Sequence, residues 1–236
     1  MSLRTIPLLL AILIAAPVAV SADEMDRLLQ QGMDQLYNVR FDAAAASFDQ
    51  AIRLDPNDPR GHFYRANVHL WSYLFARQQA QSLLYFNASD RVIKVAEARL
   101  KANPRDHRAR MFLGMTYGYR AIANARAENV MSAALSAKTC YDQLSEVVKA
   151  DPKLADAQFG LGIFHFIFGS VPKAAGVLAG LGGVKGDAQL GLREIENAAT
   201  RGFYFRNDAT LTLALLNIYY RDDFKTGEGA LRQMAQ

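Results

Sequence analysis

The chain closes a helical stretch with an acid or its amide and a proline at a fixed interval of 48 residues: AIRLDP ends at Pro56, LKANP at Pro104 and VKADP at Pro152. Proline lacks an N–H, and its ring clashes with the preceding turn, so it stops or starts a helix rather than continuing one. A chain that stops its helices on a regular beat folds as a repeat array, in which each unit buries its apolar face against the next. The same register aligns Ala66, Gly114 and Gly162, small enough for a close helix crossing. It also aligns Phe63, Met111 and Phe159, large enough to fill the layer between hairpins, and His69, Tyr117 and His165. One further step from Pro152 reaches Thr200 in NAATRG, another helix end, where Gly202 is expected to supply a left-handed cap.

The first unit carries Gly32, Ala44, Phe48, Ala51 and Pro56, the last four at offsets of 12, 16, 19 and 24 from the glycine. These small, small, large, small and proline positions closely resemble the tetratricopeptide repeat, here of an exported bacterial type with lengthened repeats. That repeat has a period of about 34 residues. The 14 residues by which 48 exceeds it make about four helical turns, two per helix, so each helix keeps the same inward face. The fold predicted is all-α: an α-solenoid of antiparallel helix hairpins, tetratricopeptide-like and a right-handed superhelix. Composition agrees, with 51% hydrophobic and 21% charged residues and few alternating β-branched runs.

Helices are predicted over 24–38, 41–54, 58–80, 89–102, 106–128, 131–150, 154–168, 186–200, 207–221 and 223–236. Asn87, Ser89 and Asp90 read as a turn and helix cap. GSVPKAAGVLAGLGGVKGD reads as a short helix followed by a glycine-rich loop. Phe224 and Leu231 match Phe41 and Phe48 by position, and the closing proline falls three residues beyond Gln236. The last repeat is therefore expected to be incomplete or to end on a capping helix. Residues Phe159–Ala198 are also similar to a cytosolic eukaryotic tetratricopeptide family with long-helix repeats. The leader sequence disagrees with that location, so only the architecture is carried over.

MSLRTIPLLLAILIAAPVAVSADE has an early cation, an apolar run interrupted by Pro7 and Pro17, and small residues before Asp23. This is a secretory signal pattern, too short and broken for a spanning helix. Residues 1–22 are expected to be removed after Ala22, leaving 23–236 as one helical repeat domain, periplasmic or secreted; retention of the segment as an anchor is the alternative. No cysteine follows the apolar run, so a lipid anchor has no attachment point. The net charge of +4 falls by one with loss of Arg4, too mild an excess to argue for nucleic acid. With Cys140 as the single cysteine there is no internal disulfide, and stability must come from packing.

His62 and His69 share a helix face, but no HExxH pair or Cys/His cluster accompanies them, so neither a metal nor any other cofactor is expected. GLGGVKGD lacks the glycine before Lys185 and the Ser or Thr after it that a phosphate loop needs. No nucleophile elbow or paired carboxylates on a helix appear, so no enzyme is expected. NAS at Asn87 fits a glycosylation tripeptide, a pattern common by chance.

First helices line the concave side of such solenoids. By repeat position this face presents Phe63, Asn67 and Trp71 in one unit and Met111, Met115 and Tyr119 in the next, with Arg60 and Arg108 at the rim. Aromatic, methionine and basic groups together suit an apolar or acidic peptide. The expectation is a non-catalytic scaffold binding peptide segments or partner proteins in the cell envelope, with peripheral association to a membrane complex and no small-molecule ligand. Two alternatives stand beside it. One is a structural subunit of an envelope assembly, binding through a convex or edge surface. The other is a solute binder or enzyme using the 180–187 loop, marked by a closed polar pocket near Lys185 and Asp187.

Overall fold

The computed structural model describes residues 22–75, 78–170 and 186–234. Residues 1–21, all but the last of the expected leader, and most of the glycine-rich segment, including Gly182, Gly183 and Lys185, lie outside the described residues. Those described form ten helices and no strand: α1 (Ala22–Tyr37), α2 (Phe41–Leu54), α3 (Pro59–Leu74), α4 (Ala80–Ala102), α5 (His107–Arg126), α6 (Val130–Ala150), α7 (Asp156–Ser170), α8 (Ala188–Arg201), α9 (Arg206–Tyr220) and α10 (Phe224–Met234). Consecutive helices pack as hairpins, and the first helices α1, α3, α5 and α7 also touch one another in turn. This is an α-solenoid.

The recurrent acid-or-amide–proline pair now has a structural cause. Asp55, Asn103 and Asp151 each follow the last residue of a second helix in a non-helical conformation, as the proline after them requires. Each side-chain oxygen accepts the backbone N–H two residues on: Asn57 at 2.9 Å, Arg105 at 3.1 Å and Lys153 at 3.1 Å. The result is the same Asx turn three times. Asp58 and Asp106 then cap α3 and α5 through the N–H groups of Arg60 and Ala109.

The small positions mark helix crossings. A methyl on Gly32 would lie 2.3 Å from the Phe48 ring, and one on Gly114 would lie 2.8 Å from Leu144. At the α7–α8 crossing Gly162 and Gly191 meet backbone to backbone. Phe63, Met111 and Phe159, one register apart, are all buried in the layer these crossings leave.

Two expectations are corrected. Asn87, Ser89 and Asp90 lie inside α4, which starts at Ala80 rather than 89, and α3 ends at Leu74 rather than 80. Ser89 donates to the Phe86 carbonyl and Asp90 pairs with Arg120, so neither side chain serves as a cap. Gly202 does end α8, but with φ −64° and ψ 154°, extended and not left-handed. Glycine is needed there for room: a methyl would stand 2.4 Å from the Ala198 carbonyl oxygen and 2.9 Å from Asp156.

Candidate functional site

The inner face is built by the first helices and filled by the chain itself. The connection between α8 and α9, Gly202–Arg206, crosses it. Asp156, at the start of α7, receives the backbone N–H groups of Phe203 (2.9 Å), Tyr204 (2.8 Å) and Phe205 (2.8 Å) on one carboxylate oxygen. Burial pushes the Asp156 carboxyl above the usual range even though these three donors pull it down. Phe205 is fully buried among Phe63, Tyr64, Phe112 and Phe159, with centroids 5.5 to 6.4 Å away.

A polar network closes over this plug. Arg60 pairs with Asp58 at 2.8 Å and Asp26 at 2.6 Å and donates to the Tyr204 hydroxyl at 3.0 Å. Tyr204 in turn donates to Asp26 at 3.2 Å, and Tyr64 donates to the Tyr204 carbonyl at 2.8 Å. Burial opposes ionisation of Asp58, but the Arg60 guanidinium outweighs it and holds the carboxyl below its ordinary range. One turn into α9, buried Asp208 accepts from Tyr119 at 2.7 Å and also from Tyr37. Burial raises Asp208 from 3.8 to about 6, against the pull of those hydroxyls.

That displacement carries a sign. A carboxyl whose folded pKa lies above its unfolded one favours the folded state when protonated. Its contribution, about 3 kcal/mol, is full below about pH 4 and is lost as pH rises through 6. Asp208→Asn removes the charge and keeps the shape. It is expected to flatten the fall in stability between about pH 4 and pH 8, measured by urea unfolding at several pH values. An unchanged pH slope would show that Asp208 is not the titrating group.

The eight candidate binding residues separate accordingly. Phe63, Asn67, Met111, Met115, Tyr119 and Arg60 are buried, with Tyr119 the most accessible at 9%. The open groove expected from repeat position is thus corrected for these six: Gly202–Arg206 lies where a partner segment was anticipated. Trp71 is half-buried against Tyr37 and Phe75. Arg108 is exposed, with its guanidinium 5.8 Å from the Tyr204 ring centre. Asp26, Asp156, Tyr204, Phe205 and Asp208 are not singled out by the sequence pattern. The available signal is Phe203–Tyr204–Phe205, three consecutive aromatics in a helix connection, which a solvated loop would not carry.

Three of the four histidines are engaged locally, whereas the buried Nδ1 of His107 has no hydrogen-bond partner. His62 meets the Pro56 carbonyl, His165 meets Glu194 at 2.6 Å, and His69 accepts from Arg65 and bonds Gln81. No group of three or more His, Cys, Asp or Glu among the described residues could hold a metal ion. Cys140 is buried, which pushes its thiol up to about 12. Asp187 is exposed and caps α8 through the Leu190 N–H; Lys185, its expected partner in a polar pocket, lies outside the described residues.

Stacked helical hairpins with Gly–Phe and Gly–Leu crossings define a helical-repeat protein. Residues 29–70, from within α1 through most of α3, match the family model described as tetratricopeptide repeat, and that stretch is such a repeat. Repeats of this kind generally mediate protein–protein interaction. A solved structure, that of a thermophilic tetratricopeptide-repeat protein of Thermus thermophilus, is similar with a TM-score of 0.45 and 18% identity, covering 88% of this chain and 98% of that one. No curated protein sequence matches.

Proposed function

We propose that the chain is an exported, non-catalytic scaffold that binds partner proteins in the cell envelope through its outer helices and edges. The observation that carries this reading is the filled inner face: Gly202–Arg206 occupies the surface on which a solenoid would hold a peptide. The role is therefore closer to that of a structural subunit than of a peptide clamp. The non-catalytic reading fits the local engagement of His62, His69 and His165 and the burial of Cys140. Export rests on the leader, residues 1–22.

Two measurements test this. N-terminal sequencing of the exported protein is expected to start at Asp23; a start at Met1 or Ser2 counts against removal of the leader. A photo-crosslinking residue at exposed Lys94 on α4 is expected to capture an envelope protein, whereas one at Trp71 is not. Capture from Trp71 alone would return the working surface to the inner face.

A further inference from the structure

The hairpin topology puts every first-to-second helix turn on one edge of the stack and every turn between hairpins on the other. The exposed large apolar side chains do not divide evenly between these edges. Among the described residues, all except Phe203 lie in or within about two turns of a first-to-second helix turn. Phe75, Leu83 and Leu84 mark the α3–α4 tip, and Val130, Met131 and Leu135 the α5–α6 tip, with exposures from 45% to 67%. Tyr219, Tyr220 and Phe224 continue the row at the α9–α10 turn.

At the two central tips the charge pattern runs the same way. Stretches 70–89 and 118–137 contain one acid, Glu128; Arg120 is paired with Asp90 just beyond, and Arg126 stays exposed among the apolar residues, while the α9–α10 turn carries Asp222 and Asp223. The opposite edge carries Asp55, Asp58, Asp106, Asp151 and Asp156 in its turns. The lengthening falls on α4, α5 and α6, with 23, 20 and 21 residues against 16 and 14 in α1 and α2. Seven residues of helix span about 10 Å, comparable to the roughly 5–10 Å over which interfacial helices bury apolar groups among lipid headgroups.

A groove of about 240 Å³ opens near this edge between α5, α6 and α7. Its walls are Ala, Gly, Ile, Val and Phe side chains, with the Cys140 thiol the one polar group. An extended peptide entering it would leave its N–H and C=O groups unpaired, whereas a hydrocarbon chain has none to pair. Separate tips one helix pair apart also suit a fluid surface that fills around them better than a protein partner, which needs a contiguous packed patch. No described helix is long and apolar enough to cross a membrane.

We infer that the tip edge rests on a phospholipid surface, inserting the apolar ends of the hairpins among acyl chains with the exposed Arg126 facing the phosphates. This goes beyond the proposed scaffold role: it names a different partner, a lipid surface, and one particular edge. The full exported chain is tested against phosphatidylglycerol vesicles and against phosphatidylcholine vesicles, with no other protein present. Co-sedimentation is expected with both, more strongly with the anionic lipid. The combined Leu84→Glu and Met131→Glu variant is expected to lose at least tenfold in partitioning, and Phe203→Glu, exposed and apolar but in a turn on the opposite edge, less than twofold. Both edge side chains are largely exposed, so the fold is retained, as circular dichroism checks; Leu83→Glu replaces either substitution if it is not.

Trp71, the single tryptophan, stacks on Phe75 at 4.7 Å beside the tip and reports the orientation. Its fluorescence is expected to be quenched by brominated acyl chains. Failure of both vesicle types to sediment the protein, or sedimentation without quenching, overturns the inference. So does a wild-type dimer in sedimentation velocity that the glutamates dissociate without any vesicle binding, since the edge would then be a contact between copies.

Discussion

Phe205→Ala is expected to lower the unfolding free energy by about 3–5 kcal/mol, the range for truncating a buried phenylalanine. The loss falls towards the upper end because four aromatic rings face the resulting cavity. They belong to three different hairpins and cannot close the space by moving one side chain. Phe203→Ala, two residues away and 47% exposed, is expected to cost less than about 1 kcal/mol. Urea unfolding of the two variants separates the cases. Equal losses would mean that Gly202–Arg206 does not fill the inner face in solution.

The second large effect lies at the α7–α8 crossing. A methyl at Gly162 would stand 2.7 Å from the Gly191 carbonyl oxygen and 2.9 Å from the Ile195 nitrogen. Both are backbone atoms of a helix, so relief requires moving the helix, and Gly162→Ala is expected to destabilise by about 3 kcal/mol. Gly114→Ala meets only side chains, chiefly Leu144, and is expected to cost less. Gly229 in α10 has nothing within 4 Å of an added methyl. Gly229→Ala is expected to gain about 0.5–1 kcal/mol from helix propensity. Melting temperatures rank the three, and a Gly162→Ala no worse than Gly114→Ala would contradict the backbone contact.

The hairpins were legible because their signals are local. Pro56, Pro104 and Pro152 punctuate second helices through an Asx turn that needs only the residue before each proline and the two after it. Gly32, Gly114 and Gly162 recur because each packing layer repeats. What could not be read is the inner face, since its occupant comes from a connection that breaks the register. Repeat position placed Phe63, Met111 and Tyr119 on the first helices, but it could not say that Phe205 and Asp208 return to cover them. The same periodicity misplaced the start of α4. The polar run Asn87–Asp90 resembles a cap by composition, and only Arg120, on the next hairpin, shows that it is the outer face of a longer helix.

Asp26 and Tyr204 share a hydrogen bond across 178 residues of chain. In an open array each repeat meets only its neighbours, so the ends fray first and partly melted forms accumulate. Here the bond from Tyr204 to Asp26 and the Asp208–Tyr119 and Asp208–Tyr37 bonds tie the last hairpin to the first and third. Loosening any one of these hairpins uncovers Phe205 and exposes the carboxylates, so the described hairpins are bound to melt in one cooperative step. Distant pairings also close slowly, because the long intervening chain must be ordered before they form. The molecule therefore gives up the modular growth by which repeat proteins lengthen. A hairpin inserted between α5 and α7 would carry Asp208 away from Tyr37, and the plug would no longer reach its socket.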